Sequence, residues 1–159
     1  MTFPSRSTCP LEQRRLRRRW PIFAPVSAER VTYLDSSAVV KLAVRESEST
    51  ALRSYLRKRN SLVCSALART EVIRALLPSG DAAIRRGHLV LPRIELVRLG
   101  NRVLDRAARL RPHQLRSLEA IHLATADLLG DRSQTLIVTY DRRMADAARD
   151  MGWRVAAPA

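Results

Sequence analysis

The spacing of apolar residues alternates along the chain between strand-like runs and helix-like intervals. VTYLD at 31–35 is a short β-branched and aromatic run ending on an acid, and SLVCS at 61–65 and TLIVTY at 135–140 have the same character. WRVAA near the C-terminus predicts a last strand, and ELVRL at 95–99 suits a short strand or a connector. Between them, helical spacing predicts helices in SSAVVKLAVRE, with its serines as caps, in STALRSYLRKR, in ALARTEVIRALL and in DAAIRRGHLV. Pro78-Ser79-Gly80 separates the last two. Further helices are predicted in NRVLDRAARL, over about 115–129 and in DRRMADAARDMG. Strands separated by helices require crossover connections, so the pattern predicts an α/β fold with a mainly parallel sheet covered on both faces.

One position conflicts with its own pattern. In LRSLEAIHLATA (115–126), a helical wheel of roughly 100° per residue gathers Leu115, Leu118, His122, Leu123 and Ala126 around Glu119. A lone carboxylate in the middle of an apolar face is expensive to bury, so Glu119 needs a partner. His122, three residues on, is expected to be a hydrogen-bonded inner-face histidine rather than a metal ligand, because paired Glu-x-x-His motifs belong to helical bundles.

Composition adds a polyanionic partner. The 159 residues carry 29 Lys and Arg against 15 Asp and Glu, a net charge of +14, and only Lys41 and Lys58 are lysine. The guanidinium fork suits phosphate, so the excess points towards nucleic acid. Residues 1–30 hold seven arginines, including RRLRRR at 14–19, and four prolines without periodicity. They are expected to be a basic, disordered extension ahead of a single domain at 31–159. Cys9 and Cys64 have neither CxxC spacing nor neighbouring histidines, which argues against a disulfide framework or a zinc site and for a reducing cytosol. No apolar run reaches the roughly 20 residues of a membrane span.

The chemistry turns on acids. In parallel sheets, sites form beyond the carboxyl ends of the strands, which singles out Asp35 after VTYL and Asp141 after TLIVTY. Glu71 lies in a mostly apolar helix after the second strand, and Glu119 lies on the apolar face described above. Clustered carboxylates repel one another and take up protons unless a cation neutralises them. Oxygen ligands favour Mg²⁺ or Mn²⁺, and such a site beside arginines suits hydrolysis of a phosphodiester.

YLDSSAVVKL, RTEVIRAL, LRSLEAIHLATA and VTYDRRMADAA, in this order, resemble the PIN-domain ribonucleases, and most of all the VapC toxins of type II toxin–antitoxin modules. The resemblance spans residues 31–159. It implies a three-layer α/β/α sandwich with four or five parallel strands, and an Mg²⁺- or Mn²⁺-dependent endoribonuclease acting on tRNA or ribosomal RNA. It also implies a homodimer and a VapB-type antitoxin that occupies the active-site groove. Carried over, it makes Asp35 and Glu119 the main metal ligands, Glu71 the second acid and Asp141 a more variable fourth. Ser36 and Thr139 match hydroxyl residues that support the carboxylates or bind phosphate. Arg116, Arg142 and Arg143 are candidates for RNA contact by nearness in sequence. The family more often has Asp where this chain has Glu119, a side chain longer by roughly 1.5 Å.

Rival chemistries lack their residues. A haloacid-dehalogenase-type phosphotransferase needs a second Asp where Ser37 stands, and there is no G-x-S-x-G elbow, P-loop or dinucleotide fingerprint. A non-catalytic nucleic-acid-binding protein with a PIN-like fold is the remaining alternative. It accounts for the arginines but not for inward acids, which weaken phosphate binding.

Overall fold

The computed structural model describes residues 31–59 and 61–159; the predicted basic extension at 1–30 lies outside them. Five short strands form one sheet: β1 (Val31–Leu34), β2 (Leu62–Ser65), β3 (Glu95–Val97), β4 (Thr135–Val138) and β5 (Arg154–Ala156). Their order is β3-β2-β1-β4-β5 and every pairing is parallel, with Tyr33 opposite Ile137 and Val63 opposite Glu95. ELVRL is therefore a strand, although only three of its residues take part.

Among the described residues seven α-helices connect the strands: α1 (Ser36–Ala43), α2 (Ser49–Leu56), α3 (Ala68–Leu76), α4 (Asp81–Val90), α5 (Asn101–Ala108), α6 (Ser117–Asp127) and α7 (Arg142–Asp150). Strand residues alternate between two cores, as the two-residue period of a strand demands. Leu34, Cys64, Leu136 and Val138 pack under α1–α4 with Val39, Leu52, Val72 and Leu76. Tyr33 and Ile137 turn the other way, onto Leu123 and Ala126 of α6 and Met144, Ala147 and Ala148 of α7. The result is the α/β/α sandwich expected. Burying a leucine as fully as Leu52 contributes roughly 1.5–3 kcal/mol.

Two local expectations are corrected. The cap of α1 is Asp35, whose carboxylate accepts from the Ser37 amide, while Ser36 and Ser37 lie inside the helix. The helix predicted over 115–129 is shorter and begins at Ser117, so Glu119 sits in its first turn and not in the middle of an apolar stripe. Leu118 is 49% exposed. The chain runs from β1 to one side of the sheet and returns to build β4 and β5 on the other, which makes the β1–β4 exit the topological switch point.

Candidate active site

The N-termini of α1, α6 and α7 and the flank of α3 meet at one cleft beside this switch point, and each brings an acid. Asp35 caps α1 and Asp141 caps α7, where its Oδ1 accepts from the Met144 amide at 3.0 Å. Glu71 lies in the first turn of α3, and Glu119 in the first turn of α6. All four line the cleft, of about 390 Å³, together with Ser36, Ser37, His122 and Arg116. The partial positive charge of the α1, α6 and α7 N-termini offsets negative charge there, by roughly 0.3–1 kcal/mol per helix. That offset helps four carboxylates share a cleft.

Asp35 is buried and fixed at one oxygen. Its Oδ2 accepts from the Ser37 hydroxyl at 2.6 Å, the Thr139 hydroxyl at 3.0 Å and the Ser37 amide at 3.3 Å. Its Oδ1 faces His122 Nε2 at 3.6 Å. Thr139 in turn accepts from the Asp141 amide at 3.0 Å, so one hydroxyl links the two strand exits.

Glu71 is held by Ser36, whose hydroxyl donates to Oε2 at 2.5 Å, and by His122 Nε2 at 2.7 Å from the same oxygen. Burial pushes this carboxyl up, but the hydrogen bonds from His122 and Ser36 outweigh it and leave it below its ordinary range. Glu119 Oε2 accepts from the Arg116 backbone N–H at 2.9 Å, the reach-back of a capping box. Its Oε1 lies 3.9 Å from Arg143, and its side chain is 11% exposed.

The structure thus brings together every acid the sequence singled out, and it sets Ser36 and Thr139 against carboxylates. It places Arg116 on the cleft and Arg143 beside Glu119; Arg142 is exposed and does not line the cleft. His122 is 2% exposed and hydrogen-bonded, as expected of an inner-face histidine. Three contributors were not foreseen in this role: Ser37 against Asp35, His122 against Glu71, and Tyr33 behind His122. The i, i+3 relation of Glu119 and His122 was the available signal, because it places both on one side of α6.

The oxygen-rich set suits a hard divalent cation. As arranged, however, no three His, Cys, Asp or Glu side chains among the described residues meet closely enough to hold one ion. Glu119 is engaged at its helix N-terminus, while Glu71 lies against Ser36 and His122 with Asp35 Oδ1 3.6 Å from the same imidazole nitrogen.

A family model of the PIN domain matches residues 32–150. Ribonuclease VapC46 of Mycobacterium tuberculosis is 57% identical over 126 residues, covering 79% of this chain and 96% of that protein. The chain belongs to the VapC family of PIN-domain proteins. Ribonuclease VapC35 of the same species is 40% identical over 132 residues, again covering 79% of this VapC-family chain and 96% of the relative. Two solved structures share the fold. VapBC-1 from nontypeable Haemophilus influenzae aligns with a TM-score of 0.59 at 14% identity, covering 79% of this chain and 96% of that one. A toxin–antitoxin complex from Klebsiella pneumoniae aligns with a TM-score of 0.58 at 18% identity, covering 80% and 98%.

Proposed function

We propose that this VapC-family chain is the endoribonuclease toxin of a two-component module and requires Mg²⁺ or Mn²⁺. The observation that carries the reading is the convergence of four acids from four helices on one cleft of a protein with a net charge of +14. The identity to Ribonuclease VapC46 supports RNA as the substrate, with tRNA or ribosomal RNA the expected class.

Asp35, Glu71, Glu119 and Asp141 would hold the cation. Bound there, it would supply Lewis acidity to a water and to phosphate oxygens. The chain's own residues do the rest. Thr139 and Ser37 hold Asp35 in one orientation, while Ser36 and His122 hold Glu71. Arg116 and Arg143, beside the acids, are placed to bind the RNA backbone and to offset charge that builds on phosphorus. Attack on phosphorus leaves a 5′-phosphate and a 3′-hydroxyl.

The alignment with VapBC-1 supports a VapB-type antitoxin as partner, and a homodimer is the expected assembly. No helix among the described residues is long and apolar enough to cross a membrane. The cytoplasm is the expected compartment, with residues 31–159 as the nuclease domain. Expression in a bacterial host tests the reading. The wild-type chain should arrest growth, and co-expression of its antitoxin should relieve the arrest. An Asp35→Asn chain that arrests growth equally well would refute the nuclease mechanism.

A further inference from the structure

We propose that Tyr33 and His122 form a positioning pair beneath the acids: the tyrosine hydroxyl anchors the imidazole at Nδ1, and Nε2 sets Glu71 beside Asp35. The inference rests on the reading of the acids as a metal site.

Tyr33 and Asp35 are two residues apart, so the strand period aims both towards α6. His122 lies there, between them. Tyr33 Oη stands 2.8 Å from His122 Nδ1, and His122 Nε2 stands 2.7 Å from Glu71 Oε2. The rings meet edge-on, with centroids 6.0 Å apart and an interplanar angle of 75°. Both side chains are buried, so neither turns freely to solvent.

Glu71 is a carboxylate and accepts, so the proton of the 2.7 Å contact sits on His122 Nε2, with Asp35 Oδ1 3.6 Å away. The Tyr33 hydroxyl meets the other ring nitrogen, donating to a bare Nδ1 or accepting from a protonated one, and fixes the ring in either form. A ring turned so that no N–H faced Glu71 would present nothing for the carboxylate to accept. The hydroxyl of Ser36, 3.4 Å from Nε2 and bonded to the same Glu71 oxygen, completes the clasp. Groups that orient metal ligands from behind typically change metal affinity by roughly 10–100-fold when removed.

The test uses the full chain, with Mn²⁺ as the probe and no RNA present. Long-range ¹⁵N NMR of His122 in the wild type should show a proton on Nε2, and calorimetry should show that Tyr33→Phe binds Mn²⁺ roughly tenfold more weakly. His122→Gln, which can still donate from its amide, should keep more affinity than His122→Leu. A His122 with no proton on Nε2 overturns the proposal, and so does Tyr33→Phe or His122→Leu binding Mn²⁺ as the wild type does while folded by circular dichroism. Asp35→Asn separates the two levels. If it abolishes Mn²⁺ binding and the Tyr33 and His122 variants do not weaken it, only the positioning pair is wrong; if it binds Mn²⁺ normally, the metal reading falls and this proposal with it.

Discussion

The hydroxyl of Thr139, at the end of β4, donates to Oδ2 of Asp35, at the end of β1, over 3.0 Å. It joins two strand exits that are adjacent in the sheet and distant in sequence. The same hydroxyl accepts the Asp141 amide, so its loss leaves a carboxylate oxygen and a backbone donor short of a partner. Thr139→Val is expected to lower stability by about 2 kcal/mol, since hydrogen bonds to charged groups contribute roughly 1.5–3 kcal/mol. Thr139→Ser, which keeps the hydroxyl, should stay within about 1 kcal/mol. Chemical denaturation of the two variants checks this.

Glu119 carries two roles that substitutions can separate. Its carboxylate accepts the Arg116 amide as part of the α6 N-terminus, and it lines the cleft as a charge. Glu119→Gln keeps the acceptor and the reach, so its melting temperature should hold while RNA cleavage falls by roughly tenfold or more. Glu119→Asp keeps the charge but is too short to reach back. It should cost about 1 kcal/mol of stability and retain cleavage within a few fold. Melting curves and initial rates on the same preparations distinguish the two patterns.

Asp35 and Asp141 were legible in the sequence because each follows an apolar run at the point where a parallel strand must end. Glu119 was legible as an inward acid but for an incomplete reason. A helical wheel treats its helix as endless, whereas α6 begins only two residues earlier and Leu118 turns to solvent. β3 was ambiguous because three residues, one of them the exposed Glu95, are too few to display a period. The contacts of Tyr33 with His122 and of Ser36 with Glu71 form between segments far apart in the chain, and no local pattern encodes them.

Lys41 gathers the segment after α1 by binding both Glu46 and Glu48, with its ammonium 4.7 Å from the Tyr140 ring centroid. The hydrogen bond from Lys41, helped by that from Ser47, holds the Glu48 carboxyl down at about 2. A carboxyl lowered in the folded state stabilises fully above its unfolded value, and that contribution is lost as pH falls through the folded value. Carboxyl NMR should therefore show Glu48 titrating near 2, and Lys41→Ala should return it towards the ordinary value of 4.5. A Glu48 that titrates normally in the wild type would mean the clasp does not form in solution.

Cys64 is fully buried on β2, and burial, with Asp35 nearby, pushes its thiol well above the ordinary range. The thiolate is the reactive form, so Cys64 should resist alkylation until the protein unfolds. In a Cys9→Ser background, mass spectrometry after iodoacetamide treatment should find little modification natively and full modification in denaturant. Rapid native labelling would place Cys64 outside the core.

Asp35, Glu71, Glu119 and Asp141 are proposed to form a metal-dependent ribonuclease site, and RNA cleavage by the purified chain, with and without divalent metal, is the decisive assay. EDTA should abolish cleavage, added Mn²⁺ or Mg²⁺ should restore it, and Asp35→Asn should reduce the restored rate by roughly 100-fold or more. Cleavage that persists undiminished in EDTA, or in the Asp35→Asn protein, would rule out a metal site built on Asp35.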